Sequence, residues 1–299
     1  MKAKASGPAR DAATIGGVRI THPDKPWWPE EGITKGDVAS FYDRISPLIL
    51  PWLKDRPLTA ERCPDGMRGP CFFQKNFPEN VAGGVPTVPI KAESTGQIVN
   101  YVVGGTKKAL LSLVNFGCIA IHVMNCRKGS LDAPDWLAFD LDPSTGKFSD
   151  AARAGLLLRK TLDGAGLRSF PKTSGSRGLH VFVPLARGAT QDGVRAFAAA
   201  VGQTLAGAAP RLVTVEMSKA RRGDRVFADA LRNAFGQTIV PPYSVRRRPE
   251  APVSTPLDWD EVDPKLDPSR FHIGVVEKRF SSADPWADFG RSKQKLPSL

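Results

Sequence analysis

Three aspartates in two short apolar segments are the strongest chemical feature of this 299-residue sequence. Asp140 and Asp142 alternate with apolar residues in the segment 136–143, and Asp229 ends the apolar run 226–229. Residues i and i+2 of a strand point to the same face, so the first two carboxylates would lie side by side. Like charges this close favour a cation between them, and carboxylate oxygens suit Mg²⁺ or Mn²⁺. Three carboxylates on two apolar strands match what a two-metal site for nucleotidyl transfer needs.

Each of these aspartates also has an ordinary structural explanation. A bare Asp-x-Asp pair is common in surface turns and capping pairs. Asp229 could form a salt bridge with Arg225 or Arg232, which lie in the same segment. The pattern alone leaves both explanations open.

The segment 172–180 combines two glycines, three hydroxyl side chains and two cations, Lys172 and Arg177. Such a loop could expose consecutive backbone N–H groups to a triphosphate, with the cations supplying positive charge. It is not a Walker A loop, because the required Gly-x-x-x-x-Gly-Lys-Ser/Thr pattern is missing. An ordinary Gly-Ser hairpin remains the alternative.

Two strand histidines and a basic run are further candidates. His122 alternates with apolar neighbours, and both it and His180 could equally be hydrogen-bonded core residues. Residues 211–250 hold nine Lys and Arg against four acids. That run could be a solvated face, or it could bind a triphosphate or nucleic acid.

Phe72 and Phe73, beside Lys75, could form a base-stacking platform or belong to the core. Adjacent strand residues face opposite ways, so we expect no more than one of the two rings to be exposed.

Two lysines occupy positions suited to binding an anion. Lys25 lies in the proline-rich segment 18–29, and Lys35 follows Thr34, which begins a capping-box-like helix start. Free backbone N–H groups at that helix start would add to the charge of Lys35.

Composition and charge limit the class of protein. Forty-two Lys and Arg against thirty Asp and Glu give a net charge of +12, which favours a polyanionic or phosphorylated partner. No apolar run approaches the roughly 18 residues of a transmembrane helix, and the N-terminus lacks the apolar region of a signal peptide. The four cysteines form no Cys-x-x-Cys pair, so we expect reduced core thiols in a cytoplasmic protein.

The elements that must position these residues are mixed along the chain. The apolar spacing predicts helices from Thr34 and over 107–114, 150–165 and 191–208. It predicts strands over 71–75, 118–124, 136–143, 212–217 and 225–229, a hairpin over 170–185, and a basic loop at 218–224. Strands often follow strands directly, so the sequence predicts an α+β fold. We expect a disordered leader at 1–16, one catalytic domain at 17–280 and a polar tail at 281–299.

Taken together, segments 139–143, 173–180 and 227–229 resemble the three motifs of the archaeo-eukaryotic primase superfamily. The closer resemblance is to the polymerase domain of bacterial DNA ligase D, and it extends over about residues 17 to 260. Supporting segments that also resemble this family are 22–25, 62–66, 70–75 and 242–246. The fold that this implies has mixed or antiparallel sheets flanked by helices. The sequence departs at Arg177, where the family commonly has lysine, and a wide guanidinium replaces a compact ammonium there.

The resemblance implies templated addition of nucleotides, preferably ribonucleotides, to primer 3′ ends at gaps and double-strand breaks in non-homologous end joining. It implies that two Mn²⁺ or Mg²⁺ ions are bound by Asp140, Asp142 and Asp229. It implies that the incoming nucleotide is held by His122, Ser174, Arg177, Arg232 and Arg246. It implies that DNA is contacted by Lys25 and Lys35 at a downstream 5′-phosphate, by Phe72 and Phe73 near the template, and by Lys219 and Arg222.

The expected partners are gapped or broken DNA with a 5′-phosphate, NTP or dNTP, Ku and a DNA ligase, with no membrane. We expect a cytoplasmic, nucleoid-associated polymerase without ligase activity, because the polymerase region takes up residues 1–299. Two other classes remain open. One is a catalytically idle module that binds DNA ends, and the other is a metal-dependent nuclease or phosphoesterase. The second usually adds histidine-rich ligand sets, whereas this chain has four histidines.

Overall fold

The computed structural model describes residues 11–78, 84–93, 95–280 and 284–297. Its α-helices are α1 (Lys35–Leu53), α2 (Lys107–Asn115), α3 (Phe148–Gly164), α4 (Gln191–Ala208), α5 (Lys219–Arg222) and α6 (Val276–Phe280). Its strands are β1 (Ala12–Ile15), β2 (Val18–Thr21), β3 (Pro26–Trp28), β4 (Ile33–Thr34), β5 (Pro57–Arg62), β6 (Phe72–Gln74), β7 (Thr87–Lys91), β8 (Ile98–Val103), β9 (Cys118–Val123), β10 (Trp136–Pro143), β11 (Phe170–Thr173), β12 (Leu179–Pro184), β13 (Val213–Thr214) and β14 (Val226–Asp229). Short 3₁₀ helices occupy Leu231–Asn233, Trp259–Glu261, Pro268–Arg270 and Phe289–Arg291.

Five strands in the order β11-β12-β10-β14-β13 form the sheet that carries the three aspartates, here called the carboxylate sheet. Its neighbours pair antiparallel except for β13 and β14, which are parallel. The fold is therefore α+β with mixed and antiparallel sheets, as the sequence predicts.

Strand β10 lies at the centre of this sheet and separates two hydrophobic cores. Leu137, Phe139 and Leu141 pack with α3 and α4 on one face. Trp136 and Ala138 pack in the second core on the other face. Successive strand residues alternate between faces, so Asp140 and Asp142 continue the face of Trp136 and Ala138.

A second sheet is built around β5. β5 pairs antiparallel with β9 over most of its length, with β8 at its start and with β6 at its end, and β7 pairs with β8. Helices α1 and α2 share the second core with this sheet. Helix α1 begins as predicted, because Thr34 and Asp37 form a capping box.

Both ends of the described chain are more ordered than the sequence analysis expects. Residues 1–10 of the expected leader lie outside the described residues, but Ala12–Ile15 pairs with Val18–Thr21 in a hairpin. In the segment expected to be a polar tail, Trp286 and Phe289 are buried in the second core. The segment also pairs with the end of β12, since the N–H of Gln294 donates to Pro184 O over 3.1 Å. The segment is mostly polar, so the sequence did not indicate that its two aromatic residues are buried.

The expectation that all four cysteines are reduced thiols is wrong for two of them. Cys63 and Cys71 form a disulfide, because the turn after β5 brings their Cα atoms to 4.4 Å. No sequence pattern indicated this pairing, since the two residues are eight positions apart and form no Cys-x-x-Cys motif. Cys118 and Cys126 are buried free thiols, as expected.

Within the described parts of the chain, no helix combines the length and apolar character needed to cross a membrane.

We predict that Trp286→Ala destabilises the whole fold. The indole is 3% exposed, stacks on Phe289 with ring centroids 5.3 Å apart, and donates from Nε1 to Pro171 O. Truncating a buried Trp typically lowers the free energy of unfolding by about 3–5 kcal/mol. Urea denaturation followed by circular dichroism measures the change. Phe73→Ala is the control, because its ring is 59% exposed; equal stabilities of the two variants would contradict the prediction.

Candidate active site

A row of four polar residues crosses the carboxylate sheet. Lys172 of β11 lies opposite His180 of β12, His180 lies opposite Asp140 of β10, and Asp140 lies opposite Asp229 of β14. Residues directly opposite on neighbouring strands share a face and contact each other. The sheet register therefore brings together residues that are up to 89 positions apart in sequence, such as Asp140 and Asp229.

Asp140 is held by contacts on both sides. His180 Nε2 lies 3.3 Å from Asp140 Oδ1, and Arg232 Nε lies 3.3 Å from Asp140 Oδ2. The same Arg232 Nε lies 3.3 Å from Asp229 Oδ2. The salt bridge that was an alternative explanation for Asp229 is thus present, and its guanidinium also joins the two aspartates.

The three carboxylates differ in how easily they ionise. Burial raises the pKa of Asp142, and the charge of Asp140 raises it further. Burial likewise raises the pKa of Asp229, against the effect of Arg232. Burial also acts on Asp140, but contacts with His180 and Arg232 outweigh it and place its pKa below the usual range. Burial and repulsion therefore disfavour the ionised forms of Asp142 and Asp229, and a further cation would stabilise them.

The donor set fits a hard divalent cation in its chemistry. Asp140, Asp142 and Asp229 offer carboxylate oxygens, which Mg²⁺ and Mn²⁺ prefer. The described residues contain no group of three His, Cys, Asp or Glu side chains already drawn together as a metal centre. Arg232, which contacts Asp140 and Asp229, supplies part of the counter-charge in this conformation.

Lys172 and His180 are buried beside these carboxylates. Lys172 is 0% exposed, and its Nζ lies 2.8 Å from His180 Nδ1 and 2.5 Å from Ser254 Oγ. Burial and then the charge of Arg246 lower the pKa of Lys172 well below its ordinary value. Burial and then Lys172 lower the pKa of His180 to about 4, so the imidazole is neutral at pH 7.

The turn at 174–178 is a closed hairpin, which corrects the expected cradle of free N–H groups. Ser174 Oγ accepts hydrogen bonds from the N–H groups of Ser176 and Gly178, each over 3.1 Å. Ser174 O accepts a hydrogen bond of 2.7 Å from Arg246 Nη1. Ser174 therefore shapes the turn and positions Arg246. Lys172, which we expected to add charge to this loop, points to His180 instead.

The two sheets enclose a cleft of about 460 Å³ beside Asp140. Its lining residues are Thr59, Phe73, Lys75, His122, Asp140, His180, Arg232, Gln237, Thr238, Ile239, Val240 and Arg246. The cleft thus brings together one predicted metal-binding residue, three predicted nucleotide-binding residues and one predicted stacking ring. Its cations could neutralise a polyanionic ligand.

Two side chains in the cleft have polar atoms without a partner. His122 Nε2 and Arg246 Nε are buried and make no hydrogen bond among the described residues. Burial, followed by the charge of Arg246, lowers the pKa of His122 well below its ordinary value. Buried polar atoms are nearly always hydrogen-bonded in proteins. These two atoms are therefore candidates for contacts with a bound ligand.

Comparison with known proteins identifies the family. A family model described as "LigD, primase-polymerase domain" matches residues 34–286. The chain belongs to this family. It is 34% identical to the "Multifunctional non-homologous end joining protein LigD" of Pseudomonas aeruginosa, in an alignment that covers 98% of this chain and 35% of the relative. It is 32% identical to the "Bifunctional non-homologous end joining protein LigD" of Bacillus subtilis, over 94% of this chain and 45% of the relative.

A solved structure of a LigD polymerase domain has the same fold. The polymerase domain of Mycobacterium tuberculosis ligase D, solved in complex with DNA, matches with a TM-score of 0.84 at 30% sequence identity. The match covers 93% of this chain and 99% of that domain. The chain spans about a third of the length of the Pseudomonas relative.

The exposure of the aromatic pair Phe72 and Phe73 differs from our expectation. Phe72 is 46% exposed and Phe73 is 59% exposed, so both rings are accessible. The two rings lie on opposite faces of β6. Arg62 Cζ lies 5.3 Å from the centre of the Phe72 ring, and the centres of the Phe73 and His122 rings are 5.3 Å apart. The expectation of one exposed ring is wrong because β6 is a three-residue edge strand that neither face covers.

Three predicted ligand contacts, Arg177 of the 172–180 turn and Lys219 and Arg222 of the basic segment, divide into exposed and engaged side chains. Lys219 and Arg177 are exposed. Arg222 is 8% exposed, lies over the Phe227 ring at 3.6 Å and donates to Glu216 O and Met217 O. The segment expected to be a loop contains α5. Arg222 therefore stabilises this segment, while Lys219 and Arg177 remain available to a ligand.

Lys25 and Lys35 lie next to each other, outside the cleft. Lys25 Nζ forms an exposed ion pair of 2.6 Å with Asp65, and Lys35 Nζ lies 2.9 Å from Asn115 Oδ1. Burial and the charge of Lys25 lower the pKa of Lys35 to about 8. Lys25 O accepts the N–H of Lys35, and Pro23 O accepts that of the next residue. The expected free N–H groups at this helix start are thus already bonded, which corrects that part of the argument.

Sequence reasoning missed several cleft residues. Gln237 and Thr238 carry no motif, and they reach the cleft because Ile239 pairs with Val123 at the end of β9. Thr59 lies on β5, opposite His122. Only the pairing of distant segments places these residues, so no local pattern could have identified them.

We predict that Gly178→Ala lowers the stability of the protein and displaces β10, because the added Cβ would clash with the β10 backbone. A Cβ at this position would lie 2.6 Å from Leu141 O, the carbonyl between the two β10 aspartates. Overpacking of this kind typically costs about 1–3 kcal/mol. Urea denaturation measures the loss, and NMR shifts of β10 report the displacement. Gly207→Ala is the control because its Cβ would meet nothing within 4 Å; if both variants match the wild type, the close approach does not constrain the site.

Proposed function

We propose that the chain is a DNA-templated nucleotidyltransferase, with residues 17–280 as its catalytic domain. It adds nucleotides, ribonucleotides preferentially, to primer 3′ ends at gaps and double-strand breaks during non-homologous end joining. The observation that carries this proposal is the placement of Asp140, Asp142 and Asp229 on two paired strands beside a cleft lined by cations, in a chain of the LigD primase-polymerase family. Nucleotidyl transfer asks a protein mainly for such positioning and charge neutralisation.

Asp140, Asp142 and Asp229 would hold two Mn²⁺ or Mg²⁺ ions. The raised pKa values of Asp142 and Asp229 support this assignment, because both carboxylates lack full compensation for their burial. When bound, the ions would supply Lewis acidity to the primer hydroxyl and the triphosphate.

The cationic side chains would bind the incoming nucleotide. Arg246 is fixed by its hydrogen bond to Ser174 O and keeps a free Nε, and Arg232 projects into the same cleft. Arginine binds phosphate oxygens through a planar fork of donors, so the pair suits a triphosphate. His122 Nε2, which has no partner among the described residues, offers a further contact. Arg177 is exposed and close enough to Asp142 to lower the pKa of that carboxyl, so it would contact the triphosphate from the side of Asp142.

The basic surface would bind the DNA. The related M. tuberculosis domain was solved with DNA, which supports a similar role here. Phe73 projects from an edge strand beside the cleft and could stack on a template base. Lys219 adds an exposed cation next to the carboxylate sheet. Ku and a DNA ligase would be the protein partners, and we place the enzyme in the cytoplasm with the nucleoid.

Primer extension on gapped DNA with a 5′-phosphate tests the proposal. We expect the wild type to incorporate ribonucleotides more readily than deoxyribonucleotides, and to work better with Mn²⁺ than with Mg²⁺. Asp140→Ala, Asp142→Ala and Asp229→Ala should each abolish extension but retain DNA binding, and their effects should not add. Asp192→Ala is the control, since that carboxylate is 92% exposed on α4.

Two results would contradict the proposal. DNA binding by the wild type without extension would indicate an idle end-binding module. Mn²⁺-dependent degradation of labelled DNA in the absence of nucleotides would indicate a nuclease.

We further predict that Lys25 and Lys35 recognise the downstream 5′-phosphate in a pH-dependent way. Lys35 is cationic below its pKa of about 8 and loses its proton above it. The preference for 5′-phosphate over 5′-hydroxyl gaps should therefore weaken between pH 7 and pH 9, because an anion binds the cationic form. Fluorescence anisotropy with both DNAs measures this preference.

The double variant Lys25→Ala/Lys35→Ala should lose the preference at every pH and keep extension on a primer-template without a downstream strand. Lys160→Ala/Lys265→Ala removes the same charge from exposed positions and should behave as the wild type. A wild type that binds the two gaps equally well at physiological salt would show that the lysines only solubilise the surface.

A further inference from the structure

Lys172 carries a buried amine to which the proposed reaction assigns no contact. Its side chain is 0% exposed at the centre of β11, and its Nζ contacts His180 Nδ1 at 2.8 Å and Ser254 Oγ at 2.5 Å. Burying an amine without compensation is strongly unfavourable. A lysine in such a position therefore has to be satisfied by these partners, and the partners are in turn fixed by the lysine.

The direction of the hydrogen bonds follows from the groups at the two ends. Asp140 Oδ1, 3.3 Å from His180 Nε2, belongs to a carboxylate that only accepts hydrogen bonds. With the Asp140 acceptor on one side and the Lys172 donor on the other, the proton of the imidazole lies on Nε2. The other ring nitrogen, Nδ1, is left with a lone pair that accepts from Lys172 Nζ.

Ser254 is consistent with the same direction. Its Oγ donates to Thr173 O over 2.9 Å, so it accepts from Lys172 Nζ. Donation therefore runs from Lys172 through His180 to Asp140. The register of three neighbouring strands sets this row, since each residue lies directly opposite the next.

We propose that Lys172 is a positioning residue that, by donating to His180 Nδ1, holds the imidazole with its Nε2 proton towards Asp140 and so fixes the orientation of that carboxylate. The proposal rests on the proposed function in one respect, namely that Asp140 is a ligand for a divalent ion. Partners that orient metal-binding carboxylates commonly affect metal affinity without touching the ion. Lys172 would therefore act on the reaction through two intervening side chains.

The tautomer of His180 provides the direct test and needs no metal or nucleotide. In protein labelled with ¹⁵N-histidine, long-range ¹H–¹⁵N correlation spectra report which ring nitrogen carries the proton, and the loss of one signal set in His180→Gln assigns the ring. We expect protonated Nε2 and unprotonated Nδ1 in the wild type. In Lys172→Met, which removes the donor at similar length, we expect the second tautomer to appear, while the signals of His122 stay unchanged. A wild-type proton on Nδ1, or a wild-type spectrum of His180 in Lys172→Met, would overturn the proposal.

Mn²⁺ affinity, followed by electron paramagnetic resonance of the free ion, tests the consequence for Asp140. Lys172→Met should weaken Mn²⁺ binding by about 10-fold or more. Ser254→Ala, which removes the other partner of Lys172 but leaves its bond to His180, should bind Mn²⁺ as the wild type does. Equal weakening in both variants would assign the effect to packing and overturn the positioning role. A wild type that binds no Mn²⁺ would count against the proposed metal site, whereas the tautomer spectra would still decide the role of Lys172.

Discussion

The alternation of β10 between two hydrophobic cores is the constraint on which the rest of the molecule depends. Leu137, Phe139 and Leu141 anchor one face of the strand on α3 and α4, while Trp136 and Ala138 anchor the start of the other face. A shift of one residue in register would bury both aspartates among leucines and expose those leucines. The hydrophobic free energy of two cores therefore fixes where the carboxylates point, and the neighbouring strands only have to supply partners for them.

The electrostatics of the site follow from that placement. Three carboxylates on a buried sheet repel one another, and the chain compensates with groups drawn from separate segments. The guanidinium groups of Arg232, after β14, and Arg246, beyond it, supply positive charge, and the neutral imidazole of His180 from β12 supplies a hydrogen-bond donor. Some of the basic residues in excess over acidic ones therefore stabilise the fold itself. Arg222, which packs on Phe227, shows that a basic segment can serve structure as well as ligand binding.

The sequence predicted the elements of the site better than their hydrogen bonds. Alternating apolar residues identified β10 and β14, and the three motifs assigned the family, because both depend on local patterns that one segment contains. The closed turn around Ser174, the bonded N–H groups ahead of α1 and the disulfide of Cys63 and Cys71 depend on which distant segments meet. The two exposed rings of β6 were misjudged for the same reason, since strand periodicity does not reveal that an edge strand lacks a cover on both faces.

The ordering of Lys35 has a consequence for the 5′-phosphate binding that we propose for it. A free lysine side chain gives up about 2 kcal/mol of conformational entropy when it is immobilised. Here Asn115 and Thr21 already hold the ammonium in the folded chain, and only 6% of the residue is exposed. That entropy is lost during folding, so the proposed phosphate would meet a charge that is already fixed. Encounter and release would then be rapid, as suits the proposed search among strand ends.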